Sequence, residues 1–139
     1  MFESITERNE RSEMLLYYAD QFKEVPESIA TKPFSENHKV PFCESQAYVW
    51  TENPKNDILT FYFAIENPQG ISAKVIASIL NKTVSGLTAK EIINISPDMV
   101  YSLFGHDLGM VRAEGLRGIV KMVKAMTQQF INKTSQNAK

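Results

Sequence analysis

The apolar positions of this chain change period twice. From about Thr6 to Lys23, Met14, Leu15, Tyr18, Ala19 and Phe22 recur at helical spacing behind the polar residues Glu7, Arg8, Glu10 and Arg11, which predicts a helix ending before Pro26. Between Glu24 and Phe42, Pro26, Pro33 and Pro41 interrupt scattered charges with no period, so this stretch reads as a long loop laid over the surface. The runs QAYVWTE and ILTFYFAI follow, joined by NPKND, whose Asn, Pro and Asp favour a turn; together they predict a β-hairpin. In the second run Leu59, Phe61 and Phe63 alternate with Ile58, Thr60, Tyr62 and Ala64, which makes one face strongly apolar and in need of helical cover.

After ENPQG the helical period returns. It predicts helices over Ile71 to Lys82, over SGLTAKEIIN with Thr88 as N-cap, and over a short segment after Ser96-Pro97. FGHDLG breaks the pattern. A long last helix is expected from about Met110 to Ile131, with Leu116, Ile119, Val120, Val123, Met126 and Phe130 on one stripe, and a frayed polar tail from about residue 132. Helix, hairpin, then several helices is an α+β order with no βαβ alternation, and 139 residues suffice for a single domain spanning 1–139.

Composition narrows the function classes. Fifteen Lys plus Arg against 16 Asp plus Glu give a net charge of −1, so no basic face gathers phosphates and no nucleic-acid partner is expected. No stretch approaches the roughly 20 apolar residues of a membrane span, and a bilayer role is not expected. MFESITERNE has neither the apolar core of a secretory signal nor the acid-poor character of a transit peptide, which predicts a cytoplasmic location.

The one cysteine, Cys43, lies in HKVPFCESQAYVW, between a proline-bearing approach and the first strand. A single thiol cannot form an intrachain disulfide, and two readings stand: a small buried hydrophobe, or a nucleophile. The adjacent Glu44 opposes ionisation of the thiol, so any activation has to come from elsewhere in the fold. As a base, His38 or His106 is available for a Cys-His hydrolase or a peroxidase-like enzyme; each also reads as an ordinary loop histidine. One Cys and two widely spaced His lack the clustering of a zinc site, so no metal is expected. Gly115 and Gly118 fall inside the last helix, where each costs up to about 1 kcal/mol relative to Ala; this points to close approach by another backbone segment. Arg112, near the start of that helix, is on the wrong end for the helix dipole, and serves a carboxylate, an incoming partner or only solvent. Met110, Met122 and Met126 read as core filler.

Cys-x-Ser-Gln opening a hairpin, a helix pair after it, then Leu108-x-x-x-Arg112-x-x-Gly115-Leu116 leading a long last helix, resembles the SufE/CsdE family of sulfur-acceptor proteins. The resemblance covers most of the chain, from RSEMLLYYADQFKEVP to RAEGLRGIVKMVKAM. It implies a small α+β domain in which helices cover a short antiparallel sheet, here the hairpin and one more strand. It also implies an activity: Cys43 takes persulfide sulfur from a PLP-dependent cysteine desulfurase, stimulates that enzyme, and passes the sulfur to an iron-sulfur scaffold. PLP then belongs to the partner, no cofactor to this chain, and the chain is a monomer or homodimer. Ser45, Glu66, His38 and Arg112 are the supporting residues the resemblance and the spacing single out. Where the family usually has Gly before its cysteine, this chain has Phe42; where it has Ser-Asp-Ala before the middle helix, this chain has NPQG, with Glu66 the nearest acidic residue in register. A non-catalytic interaction domain of the same fold is the remaining alternative.

Overall fold

The computed structural model describes residues 12–55, 58–84, 86–105 and 108–137. Residues 12–20 are helical (α1), a 3-10 turn spans Glu36–His38, and the hairpin consists of β1 (Ala47–Lys55) and β2 (Ile58–Ile65). Four helices follow: α2 (Ile71–Val84), α3 (Ala89–Ile92), α4 (Met99–Phe104) and α5 (Met110–Asn137). Thr88 caps α3 as expected, its hydroxyl accepting from the Glu91 N–H while the Glu91 carboxylate accepts from the Thr88 N–H.

The strands pair antiparallel from Ala47↔Ile65 to Glu52↔Thr60, and the register slips before Lys55↔Ile58. Leu59, Phe61 and Phe63 are buried with Ala47 and Val49 beneath α2 and α5, which contribute Ile76, Leu80, Leu116, Ile119, Val120 and Val123 to the same core. This is the helical cover that the alternation in ILTFYFAI demands. The additional strand expected beside the hairpin is present only as single bridges among the described residues. Glu24 pairs parallel with Phe63, and Lys39 pairs antiparallel with Tyr48. Each pairing stops within two residues, at Pro26 and at Pro41, because proline has no N–H to continue a ladder.

The loop before the hairpin does more than lie on the surface. Val25, Ile29, Ala30 and Phe34 pack on the second face of the sheet against Tyr48, Trp50 and Ala64. Phe34 meets Tyr48 and Trp50 with ring centroids 5.2 and 5.0 Å apart. Four apolar residues spread over an aperiodic stretch are enough to close this face, so both faces of a two-stranded sheet are buried.

At the other end of the chain, α5 continues to Asn137, past Ile131 where its apolar stripe ends. No Gly or Pro interrupts residues 132–137, and Thr134 donates its hydroxyl to the Phe130 carbonyl, so the backbone ladder carries the polar residues expected to fray. Arg117 braces the start of α5, with Asp98 at 3.4 Å and Glu114 as carboxylate partners. Among the described residues, no helix is long and apolar enough to cross a membrane.

Phe63 touches both the helical core and the edge bridge, so its truncation removes the most from this arrangement. Phe63→Ala is expected to lower the unfolding free energy by about 3–5 kcal/mol, measured by urea denaturation at unchanged m-value. A loss below about 1 kcal/mol contradicts this account of the core.

Candidate functional site

Lys39 and Val40 on one side and Ala47 and Tyr48 on the other form a narrow ladder, closed by the Val40 N–H donating to the Ala47 carbonyl at 2.8 Å. Cys43 lies at the tip between them. The Gln46 N–H donates to the Cys43 carbonyl at 3.1 Å, so residues 43–46 make one tight turn. Two residues in this tip have left-handed backbones: Phe42 with φ 60° and Gln46 with φ 53°. A left-handed Phe is strained by about 1–2 kcal/mol, which gives a physical reason for glycine to suit this position.

The turn rests on two supports. One is α5: a Cβ added at Gly115 would stand 3.0 Å from the Cys43 Cα and 3.1 Å from the Phe42 carbonyl oxygen, and one added at Gly118 would stand 3.0 Å from Val40. The close backbone approach expected from two helical glycines is therefore made at Gly115, by the cysteine segment itself, whereas Gly118 makes room for the Val40 side chain. The other support is the loop between β2 and α2. The Glu66 N–H donates to the Gln46 carbonyl and the Asn67 N–H to the Ser45 carbonyl, both at 3.1 Å, and Asn67 Nδ2 donates to the Glu44 carbonyl at 3.2 Å. Asn67 Oδ1 in turn accepts from the Gln69 N–H at 3.0 Å, an Asx-turn that aims the amide at the cysteine turn.

Held this way, Cys43 is only 8% exposed, while Phe42 beside it is 92% exposed. Burial pushes the Cys43 thiol above the ordinary cysteine value. The Ser45 N–H and hydroxyl and the Ala47 N–H act in the opposite direction by hydrogen-bonding the sulfur, and Glu44 adds to the upward push. The donors are in place for a thiolate, but desolvation prevails and the resting group is a neutral thiol.

The residues singled out from the sequence divide between two places. Cys43, Ser45 and Arg112 line one cleft of about 340 Å³, together with Asn67, Gln69 and Ser72. Arg112 is exposed there and forms no ion pair among the described residues. His38 and Glu66 lie on the other face of the hairpin. His38 donates from Nδ1 to the Val49 carbonyl at 3.0 Å and stacks on Trp50, a structural posture. Glu66 lies against the Tyr48 phenol, which burial and that carboxylate push upward. His106 lies outside the described residues. Among the described residues, no group of three or more His, Cys, Asp or Glu side chains is placed to hold a metal ion.

Met110 departs from its expected role as core filler. It is 84% exposed and its neighbour Val111 is 68% exposed, because the apolar stripe of α5 begins only at Ala113 and Leu116. Val111 lies one turn before Gly115, and Ile71, also exposed, lines the cleft beside Cys43. Sequence reading missed Asn67 altogether; the available signal was Asn-Pro followed two residues on by Gly, an Asx-turn pattern with a free amide.

A raised value in the folded state means that the protonated thiol is favoured by folding, so the associated stability is present below the free-thiol value and is lost as pH rises through the folded one. Alkylation of Cys43 in the native chain is therefore expected to have a midpoint at higher pH than in the urea-unfolded chain. Glu44→Gln is expected to lower that midpoint and Ser45→Ala to raise it. Iodoacetamide rate profiles against pH measure both; equal native and unfolded midpoints contradict the assignment.

Three comparisons bear on this geometry. The family model SufE, Fe-S metabolism associated domain, matches residues 1–127. A hypothetical protein from Thermus thermophilus, whose structure was solved in solution, superposes with a TM-score of 0.70 over 89% of this chain and 86% of its own. At 18% identity that likeness is one of fold. No curated protein matches the chain. The family match spans the cysteine turn, both of its supports and most of α5, and by it the chain belongs to the SufE family of Fe-S metabolism associated domains.

Proposed function

We propose that the chain is a sulfur carrier for iron-sulfur cluster assembly: Cys43 accepts sulfane sulfur from the persulfide of a PLP-dependent cysteine desulfurase and hands it to a cluster scaffold. Membership of a family associated with Fe-S metabolism supports this reading. The observation that carries it to the residue level is the setting of the thiol, the one cysteine of the chain, buried at a hydrogen-bonded tip with the exposed Phe42 and Ile71 beside it.

The chemistry balances without a second cysteine or an outside oxidant. The Cys43 thiolate attacks the outer sulfur of the partner's persulfide, a new S–S bond forms on Cys43, the partner's S–S bond breaks, and the partner's cysteine departs as a thiolate. The resting proton on Cys43 must leave first. Movement of the tip out of its seat removes the desolvation that holds the thiol neutral, so exposure and activation are one event. While seated, the same burial keeps a loaded sulfur away from reductants.

Phe42 next to Cys43, Ile71 in its cleft, and Met110 and Val111 in the first turn of α5 are exposed apolar side chains that give a protein partner anchors. Arg112, free of ion pairs among the described residues, stands at the cleft for a carboxylate of the partner or for the departing thiolate.

Incubation with a cysteine desulfurase, PLP and cysteine is expected to add the mass of one sulfur atom to the wild-type chain and nothing to Cys43→Ser, read by intact-protein mass spectrometry. An adduct that persists in Cys43→Ser defeats the assignment. Val111→Asp is expected to weaken desulfurase binding by about tenfold while leaving the alkylation rate of the isolated chain unchanged, measured by calorimetry and by iodoacetamide kinetics. Unaltered affinity contradicts the docking face.

A further inference from the structure

The seat of Cys43 is built from groups that never touch the sulfur, and they act on one side of an equilibrium. We infer that Asn67 and Gly115 are positioning residues that set how often the cysteine tip leaves its seat, Asn67 as a latch and Gly115 as the space into which the tip closes. The inference deepens the carrier reading and rests on it for its purpose, although the device itself is a property of the isolated chain.

Asn67 is suited to this task by its local geometry. Its Oδ1 is engaged by the Gln69 N–H, which leaves Nδ2 pointing at the turn, where it donates to the Glu44 carbonyl. That bond, with the Asn67 N–H to the Ser45 carbonyl, crosses from the β2–α2 loop to the two central residues of the Cys43–Gln46 turn. Both exist only when the tip is seated. Glu44 and Asn67 are not buried in the core of the fold, so parting them exposes polar groups that water can satisfy. A latch of this kind opens at modest cost and recloses.

Gly115 works by absence. The Cys43 Cα and the Phe42 carbonyl occupy the space that a methyl group at position 115 would take, at 3.0 and 3.1 Å. Alanine at this position crowds the seated tip and leaves the displaced tip untouched, while the helix itself favours alanine over glycine. The left-handed Phe42 next to the contact already strains the seated state, so the tip rather than α5 is the part that gives.

Alkylation proceeds through the displaced tip, so its rate follows the displaced population. The test uses the full chain and iodoacetamide, read at the alkaline plateau where Cys43 is ionised. Asn67→Asp keeps the acceptor for the Gln69 N–H and turns the donor to the Glu44 carbonyl into a charged acceptor that repels it; its rate, read at the plateau so that the added charge does not act through the thiol's ionisation, is expected to rise about fivefold. Gly115→Ala is expected to raise the plateau by a similar factor, and the two factors are expected to multiply in the double variant, because both act on one equilibrium. In Gly115→Ala the pH midpoint is also expected to fall toward that of the unfolded chain, a readout that a general loss of stability with a cooperative native melt does not produce. A plateau within about twofold of wild type in either variant, with a native circular dichroism spectrum, overturns the inference; if one variant does not fold, the other decides. No desulfurase enters these measurements. A wild-type chain that takes no sulfur from the enzyme therefore refutes the carrier reading and leaves the latch result standing.

Discussion

The backbone contact between the Cys43 turn and α5 at Gly115 is the constraint on which the site depends. It requires a helix with no side chain at one position and a turn whose main chain comes close to the helix there. The sheet register, the Val40–Ala47 closure and the burial of Leu116 and Ile119 all serve to bring these two backbones together. A helical glycine is unfavourable by up to about 1 kcal/mol relative to alanine, and a left-handed phenylalanine adds strain of the same order. A fold that keeps both where one thiol is buried has its local compromises concentrated at the site, which is where functional strain is found.

The electrostatics of the thiol follow from the same contact. Hydrogen bonding from Ser45 and Ala47 favours the thiolate, yet burial outweighs it and Glu44 opposes it. The seated thiol is accordingly quiet, and in the carrier reading proposed above displacement is what makes it a nucleophile, with no residue delivering a charge to it. Under that reading, storage and reaction are separated in space. His38, the nearest base in sequence, is absent from this chemistry because its ring is committed to Val49 and Trp50 on the opposite face.

Much of the fold was legible in the chain because it rests on periodicity. The alternation of Leu59, Phe61 and Phe63 marked the buried face, the stripe from Leu116 to Val123 marked the last helix, and Thr88 marked a cap. Gly115 and Gly118 pointed to a close backbone approach; the cysteine segment makes it at Gly115, while Gly118 accommodates the Val40 side chain. What was hidden depends on contacts between elements with no period. The packing of Val25, Ile29, Ala30 and Phe34 on the second sheet face leaves no pattern in a proline-broken loop. Met110 has the composition of a core residue and lies one turn too early for the core. Glu66 was in register with an acidic position but its side chain belongs to the Tyr48 face, while its neighbour Asn67 carries the contact to the turn. A one-residue offset along an extended segment exchanges faces, and sequence spacing alone did not resolve it.

The central claim is that the folded tip stores sulfur by burying it. The lifetime of labelled sulfane sulfur on Cys43 tests this most directly, with the chain loaded by a desulfurase, purified, and exposed to a small thiol reductant with and without denaturing urea. The account predicts slow loss from the native chain and loss faster by about tenfold or more once the tip is released by unfolding. Equal rates of loss in the two states would contradict it.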